Sequence, residues 1–428
     1  MLNIGLGRTG LGSALAPVKG GGALILSPSG SLDVWKAARA EVLAGTSRAV
    51  IACVGDSTTA GVGATDGTGR RKGSYAAKLA AALVGHGIAS PFDSVVGNQF
   101  VSTANASVFD PRITLGSGWA NDTLETAGAQ SWKNTTTTGA ISFVPDGDVD
   151  TFEVWSFRNT GLGTWSWNVD GGADTNVVEA GTPEAYFKTT ISAGALGAHT
   201  LNLKRVSGSC YIAAIVAYDS AAKAVDVLNM GRGSGTTTTI NDATRAWSPV
   251  NSIPLFGADL TLISLGINDY TPATLVDLAT YTSNLQALET AFAATGDVAY
   301  VVPPQSAVSR QTAEIQETYR NAMRSLAQTN GRTVFDLARK WGSYDAAVAA
   351  GFMNGGADLV HPNAAGYIDW GTWIGDYLAT VCPPPPHHRL RGGRAVAGAP
   401  LTAPQISTSK AIELNRLATR RSASGTCT

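Results

Sequence analysis

The sequence predicts an α/β protein with a doubly wound parallel sheet, interrupted by an inserted β-sandwich. Buried strand-like runs alternate with helical patterns in residues 31–97 and again in residues 224–380. Alternation of this kind is typical of parallel sheets covered by helices. Between these two parts, residues 98–223 carry short runs of alternating apolar residues separated by turns, which is typical of a β-sandwich. We therefore expect one discontinuous α/β domain with the sandwich as an insertion.

Composition narrows the class of protein. The chain has 428 residues, of which 44% are hydrophobic and 15% charged, so most of it is expected to be globular. A formal net charge of -1 gives no electrostatic reason to expect a nucleic-acid partner. No apolar stretch reaches the roughly 18 residues needed for a membrane span. The four cysteines and five histidines show no disulfide framework or metal-ligand spacing, so neither a metal nor a cofactor is expected.

The first part of the chain begins with residues 1–30, which are rich in Gly, Ala, Ser and Pro and are expected to form an arm or linker. They do not resemble a signal peptide, so the location stays open, with the cytoplasm and a particle as alternatives. A helix is predicted from Asp33 to Leu43 with Ser31 as its cap. The apolar run 50–54 predicts a strand buried on both faces, and residues 75–83 predict the next helix.

The inserted part contains strand-like runs at 151–157, 164–169, 199–204 and 211–216. Trp165 and Trp167 fall on the same face of one of these runs because side chains alternate along a strand. One interpretation places both tryptophans in the sandwich core. The other makes them a surface on which a sugar or a partner stacks.

The α/β pattern resumes at residue 224. Strands are predicted at 225–229, 260–265, 298–302 and 333–337, and helices at 274–294, 312–328 and 363–380. Residues 381–428 begin with a proline run and continue as a basic, polar stretch without periodicity, so a disordered tail is expected.

Four polar motifs follow predicted strands of the α/β part. They are Gly55-Asp56-Ser57, the glycine-rich stretch 229–237, Gly266-Ile267-Asn268-Asp269, and Asp358-Leu359-Val360-His361. Because parallel strands place their carboxyl ends at one edge of the sheet, these motifs are expected to meet there. Asp56 and Asp269 are expected to brace their own turns.

The residue types in these motifs suit nucleophilic catalysis. A serine nucleophile such as Ser57 needs a neighbouring base, and His361 can serve as that base. Asp358 can turn back to the imidazole and fix its tautomer. The amide of Ser57, a glycine amide and the side-chain amide of Asn268 can then stabilise an oxyanion.

In order and residue type, the four motifs resemble those of the SGNH, or GDSL, hydrolase superfamily. The resemblance implies a flavodoxin-like three-layer α/β/α sandwich and an esterase, lipase or carbohydrate deacetylase activity. It implies Ser57 as nucleophile, His361 as base, Asp358 as its orienting acid, and Asn268 as an oxyanion donor. The glycine motif carries one extra residue compared with the family, so Gly235 is preferred as the third donor and Gly233 is the second choice.

We therefore expect a metal-independent serine esterase that removes acetyl or other short acyl groups, with an acylated carbohydrate as substrate. The inserted domain, expected to be jelly-roll-like, resembles accessory domains of carbohydrate esterases and phage-tail enzymes in architecture. A lipid or aryl ester is the alternative substrate. An adhesive or structural tail-like protein is the alternative class, and the oligomeric state stays open.

Overall fold

The apolar run that precedes Ser57 forms a central strand of a six-stranded sheet. The structure is a computed structural model that describes residues 24–64, 69–97 and 109–381. With strands numbered in chain order, this sheet consists of β1 (Ile25–Leu26), β2 (Ala49–Gly55), β15 (Val225–Gly231), β16 (Leu260–Ser264), β17 (Asp297–Val302) and β18 (Thr333–Asp336). Their spatial order is β1-β18-β17-β16-β2-β15, and all neighbours are parallel except β1, which pairs antiparallel with β18.

Helices of the described chain cover both faces of this sheet or lie in its connections. They are α1 (Asp33–Leu43), α2 (Ser57–Ala60), α3 (Arg70–Gly73), α4 (Tyr75–Gly85), α5 (Thr237–Ile240), α6 (Pro249–Ser252), α7 (Leu278–Phe292), α8 (Ala313–Thr329), α9 (Leu337–Trp341), α10 (Tyr344–Ala349) and α11 (Ala364–Thr380). Two 3₁₀ turns lie at Ile253–Phe256 and Pro272–Thr274. None of the helices in the described ranges is both long and apolar enough to cross a membrane.

Alternation along β2 shows why the sheet has two covered faces. Ile51 and Cys53 belong to the apolar cluster that includes residues of α1, α4 and α11. Ala52 and Val54 belong to the cluster that includes residues of α7 and α8. Successive side chains of a strand point to opposite faces, so a strand that is apolar at every position is stable only between two helical layers. The predicted three-layer α/β/α sandwich with a parallel sheet is confirmed.

The inserted part forms antiparallel sheets. Its strands are β3 (Val95–Val96), β4 (Ile113–Leu115), β5 (Trp119–Thr126), β6 (Ala129–Asn134), β7 (Ala140–Phe143), β8 (Val149–Arg158), β9 (Thr164–Val169), β10 (Thr175–Val178), β11 (Ala185–Gly197), β12 (Leu201–Ser207), β13 (Cys210–Ile212) and β14 (Ala214–Tyr218). They pair as β10-β9-β12-β7-β4, β11-β8-β14-β3 and β13-β6-β5. One apolar cluster joins the inner faces of the two larger sheets, as in a β-sandwich.

Stacked aromatic rings attach this sandwich to the α/β domain. Trp155 and Phe157 lie on the face of β8 that points away from the sandwich core and join the α/β cluster. The ring of Trp155 stacks on Phe256 with a centroid distance of 4.5 Å, and Phe157 stacks on Trp247 at 4.6 Å. Because these rings are buried, the insertion is packed onto the α/β domain rather than tethered to it.

Two segments differ from their expected places. Ile25–Leu26 lie in the central sheet rather than in an arm, because their backbone pairs with Val334 and Phe335 of β18. The strand Val95–Val96, expected in the α/β part, pairs with β14 of the insertion. The rest of the expected arm (residues 1–23) and all but Val381 of the expected tail lie outside the described residues.

Candidate active site

Ser57 begins a short helix at the point where β2 ends. The carboxylate of Asp56 caps this helix by accepting hydrogen bonds from the Thr58 amide at 2.8 Å and the Thr58 hydroxyl at 2.7 Å. The backbone N–H of Ser57, in the first turn of the helix, has no helical carbonyl to bond. Gly55 is required before this turn, since a Cβ there would lie 2.1 Å from the Thr59 hydroxyl. The result is a hydroxyl held at the edge of the sheet.

His361 approaches Ser57 from a small hairpin formed by β19 (Met353–Gly355) and β20 (Asp358–Pro362). Its Nε2 atom lies 2.9 Å from Ser57 Oγ. Gly63, which follows the serine helix, packs against this hairpin, since a Cβ there would lie 2.5 Å from the Pro362 carbonyl. A glycine at this position therefore allows the two loops to come within hydrogen-bond distance of each other.

The opposite nitrogen of the imidazole faces Asp358. His361 Nδ1 lies 3.0 Å and 3.2 Å from the two carboxylate oxygens of Asp358. The backbone amides of Val360 and His361 also donate to this carboxylate, at 3.1 and 3.0 Å. Burial alone would raise the pKa of Asp358, but these hydrogen bonds with His361 outweigh it and hold the pKa well below its usual range. The carboxylate is therefore ionised and keeps the proton of a neutral imidazole on Nδ1.

Asn354 and Tyr344 complete the surroundings of Asp358, and sequence reasoning missed both. Asn354 Nδ2 donates to Asp358 Oδ2 at 3.2 Å, and the Tyr344 hydroxyl donates to the Asp358 carbonyl at 2.7 Å. Neither residue lies in one of the four motifs. The turn 354–358 brings Asn354 back onto the carboxylate, and the local sequence carries no pattern that predicts this contact.

The glycine-rich stretch after β15 forms the next wall of the site. Arg232 donates its backbone N–H to the Gly55 carbonyl at 2.9 Å, which places the stretch beside Ser57. Gly231 faces the serine helix so closely that a Cβ would lie 2.2 Å from the Ala60 nitrogen. Asn229 fixes the same approach through a side-chain bond of 3.0 Å to the Thr59 carbonyl.

Gly235 and Asn268, two of the expected oxyanion donors, contact each other. Asn268 Nδ2 donates to the Gly235 carbonyl at 3.0 Å, which leaves the second amide hydrogen of Asn268 for another acceptor. A Cβ on Gly235 would lie 3.5 Å from the Asp56 Cα, so this glycine borders the nucleophile turn. However, the Gly235 N–H itself donates to the Arg232 carbonyl at 3.0 Å. Gly233, the second choice, is buried within the same turn.

Asp269 stabilises the turn that carries Asn268 through hydrogen bonds, which is the role expected for it. It is fully buried and one of its oxygens accepts hydrogen bonds from the Thr237 amide at 2.9 Å and the Thr237 hydroxyl at 2.6 Å. Burial raises the pKa of Asp269 to about 6, although the two bonds from Thr237 oppose the shift. The contact ties the Asn268 turn to the helix that follows the glycine-rich stretch.

The proposed sugar-stacking role of Trp165 is wrong, because the structure buries this residue in the sandwich core. It is 0% exposed and joins the cluster between the two larger sheets. Trp167 packs on the same cluster and is half-buried. A ring whose faces are covered by other side chains cannot stack on a sugar.

Over residues 24–64, 69–97 and 109–381, no group of three or more His, Cys, Asp or Glu side chains is arranged to hold a metal ion.

Comparisons with known proteins agree with the fold. A family model described as the GDSL-like Lipase/Acylhydrolase family matches residues 207–367, a range that includes Asn268, Asp358 and His361 but not Ser57. The match begins within the last strands of the insertion and continues through the second part of the α/β domain. No curated protein matches the sequence.

One solved structure supports the fold, and two others are similar over smaller parts of the chain. A peptidoglycan O-acetylesterase superposes with a TM-score of 0.62 at 17% identity, covering 83% of this chain and 98% of its own. A lipase/acylhydrolase from Enterococcus faecalis gives a TM-score of 0.31 at 19% identity, with coverages of 38% and 81%. A carbohydrate acetylesterase from Sinorhizobium meliloti gives 0.29 at 19% identity, with coverages of 36% and 78%.

Residues 207–367 are thus similar to the GDSL-like Lipase/Acylhydrolase family, and the fold is that of the peptidoglycan O-acetylesterase. The family match supports a carboxylic ester hydrolase.

Proposed function

We propose that Ser57, His361 and Asp358 form a catalytic triad that removes acetyl or other short acyl groups from a carbohydrate. The observation that carries the proposal is the alignment of the three side chains. Ser57 Oγ lies 2.9 Å from one imidazole nitrogen, and the Asp358 carboxylate lies 3.0 Å from the other. This is the arrangement in which a histidine can accept the serine proton while a carboxylate stabilises the resulting imidazolium.

The reaction follows from these positions. Ser57 Oγ attacks the ester carbonyl carbon as His361 Nε2 takes its proton, and a tetrahedral oxyanion forms. The oxyanion collapses, the ester C–O bond breaks, and the sugar alcohol leaves with the proton from His361. Water then attacks the acyl-enzyme, its proton passes to Nε2, and the second collapse releases the acid and restores the Ser57 hydroxyl.

In this proposal two donors stabilise the oxyanion. One donor is the Ser57 amide, which lies in the first turn of α2. The other is the Asn268 side-chain amide, which uses one hydrogen for the Gly235 carbonyl and has a second hydrogen to donate to the oxyanion. Gly235 supplies a third donor only when its bond to the Arg232 carbonyl opens or is shared. Gly233, in the same turn, is the alternative third donor.

The surroundings of the imidazole are compatible with a polar alcohol as leaving group. A cavity of about 440 Å³ adjoins the imidazole and is lined by Arg310, Asp358 and His361, with Ala357, Leu359 and Val360 as its apolar residues. The charged side chains of Arg310 and Asp358 in this lining suit a hydroxylated leaving group. The peptidoglycan O-acetylesterase that shares this two-part fold is an O-acetylesterase of a glycan, which supports the same substrate class here.

A panel of esters tests the proposal. Acetyl, butyryl and octanoyl esters of p-nitrophenol and the acetyl ester of a sugar are compared on wild type, Ser57→Ala and Ser325→Ala, a matched change at an exposed serine of α8. We expect hydrolysis of acetyl esters by wild type and Ser325→Ala, a decline with acyl length, and a loss of at least about 10³-fold in Ser57→Ala. Equal turnover by Ser57→Ala would exclude the triad, and a preference for octanoyl esters would favour a lipid substrate.

A further inference from the structure

A carboxylate of the inserted domain reaches the glycine-rich turn of the active site. Glu125 lies in β5, near the tip of the hairpin that β5 forms with β6. Its two oxygens accept hydrogen bonds from Arg232, one from Nε at 2.7 Å and one from Nη2 at 2.6 Å. The side chains of Arg232 and Glu125 are only 11% and 17% exposed, so water screens this bidentate pair weakly.

Arg232 in turn stabilises the glycine-rich turn beside Ser57 through hydrogen bonds of its backbone and its side chain. Its N–H donates to the Gly55 carbonyl at 2.9 Å, two residues before Ser57. Its carbonyl accepts from the Gly235 amide at 3.0 Å, and its Nη1 donates to the Gly233 carbonyl at 3.0 Å. A displacement of the guanidinium therefore moves the turn 232–235.

Asn268 depends on the same turn. Its Nδ2 atom donates to the Gly235 carbonyl at 3.0 Å, and this bond orients the amide whose second hydrogen is an oxyanion donor in the proposed reaction. The contacts form an unbroken series from Glu125 through Arg232 and Gly235 to Asn268.

The hairpin that carries Glu125 is itself held against β3 and Gly97 at the start of the insertion. A Cβ on Gly128 at the hairpin tip would lie 2.1 Å from the Val96 carbonyl oxygen, and one on Gly97 would lie 1.7 Å from the Gly128 carbonyl oxygen. Backbone packed this closely leaves the tip little freedom to move. Glu125 is therefore presented to Arg232 from a fixed position.

We infer that Glu125 is a positioning residue and that the inserted domain is part of the catalytic machinery. Through Arg232 it fixes the turn that orients the Asn268 amide toward the oxyanion. The inference rests on the proposed function, since it assigns a role within the same reaction. This role of the inserted domain does not depend on carbohydrate binding.

Three variants, with Glu125→Asp as a partial rescue, test this role on p-nitrophenyl acetate. Glu125→Ala removes the carboxylate, Glu125→Gln keeps its shape, and Arg232→Lys keeps a charge but loses the bidentate geometry. Loss of an oxyanion donor lowers kcat by about 10²–10³-fold, so a donor that is only misplaced should cost about tenfold. We expect each variant to lower kcat by about that factor with KM within about twofold, and Glu125→Asp to recover part of the loss.

The control is Lys133→Gln, on the neighbouring strand of the same hairpin. Lys133 pairs with Asp122 at 3.1 Å and has no contact with the turn 232–235 among the described residues. We expect its kcat to equal that of wild type. A loss as large as that of Glu125→Gln would mean that any change to the hairpin lowers activity, and would overturn the assignment.

A double-mutant cycle separates positioning from general destabilisation. If Glu125 acts through Asn268, combining Glu125→Ala with Asn268→Ala should lower kcat little further than Asn268→Ala alone. The inference would be overturned if the kcat losses of the two single variants multiplied in full in the double variant. It would also be overturned if folded Glu125→Ala and Glu125→Gln kept the kcat of wild type. Ser57→Ala distinguishes a failure of the proposed function from a failure of this inference. If Ser57→Ala keeps its esterase activity, the proposed function is wrong, and the results for the Glu125 variants do not change that conclusion.

Discussion

The buried carboxyl group of Asp269 should make the stability of this protein depend on pH, and Asp269→Asn should reduce that dependence. One oxygen of Asp269 accepts both hydrogen bonds from Thr237, and the other is buried without a hydrogen-bond partner among the described residues. Burial disfavours the ionised form, so the pKa rises from 3.8 to about 6. An asparagine keeps an oxygen acceptor for Thr237 and carries no charge.

The sign and size of the effect follow from this shift. The pKa of Asp269 is higher in the folded than in the unfolded protein. The contribution of Asp269 to the free energy of unfolding is therefore fully present below about pH 4 and is lost as pH rises through about 6. The pKa rises by about 2 units, and one unit corresponds to about 1.4 kcal/mol, so the loss is about 3 kcal/mol. Asp269→Asn should therefore gain up to about 3 kcal/mol relative to wild type between pH 4 and pH 7.5.

Urea unfolding at pH 4.5, 5.5, 6.5 and 7.5 measures this difference. The control is Asp148→Asn, which removes an exposed carboxylate of the insertion and should follow the wild-type curve. The difference in unfolding free energy between Asp269→Asn and wild type should grow with pH and level off above about pH 7. A difference that stays constant over the whole range would refute the reasoning.

Three further substitutions test other parts of the account. Asp358→Asn replaces an acceptor of the His361 Nδ1 proton with an amide that favours the wrong tautomer, and should lower kcat/KM by about 10³–10⁴-fold in steady-state assays at neutral pH. Asn268→Ala should lower kcat by about 10²–10³-fold, and an unchanged kcat would remove Asn268 from the oxyanion site. Trp165→Ala should cost about 3–5 kcal/mol in chemical unfolding, because it empties a fully buried site, and Trp167→Ala should cost less. Equal and small costs would argue against the core assignment of Trp165.

Local pattern was enough to predict that the polar motifs follow buried strands of the sheet. The run 50–54 is apolar at every position, and only a strand covered on both faces explains such a run followed by a polar turn. Because parallel strands end at one edge, the motifs after β2, β15 and β16 had to lie near one another. Ser57 and Asn268 could therefore be chosen from sequence before any contact was known.

Contacts between distant segments could not be predicted in the same way. The pairing of Glu125 with Arg232 joins residues 107 positions apart and depends on how the insertion packs on the α/β domain. The burial of Trp165 depends on which face of β9 meets the second sheet, and alternation alone identifies a face without saying what covers it. Ile25–Leu26 join the sheet through backbone bonds to β18, which a glycine-rich composition does not indicate.

Covalent labelling by a fluorophosphonate, followed by peptide mass spectrometry, tests the central claim most directly, since such a reagent modifies only a serine that a neighbouring base activates. The account predicts one adduct per chain, on Ser57, with labelling abolished in Ser57→Ala and strongly slowed in a variant without the His361 imidazole. An adduct on another serine, or esterase activity that persists when Ser57 is blocked, would contradict it.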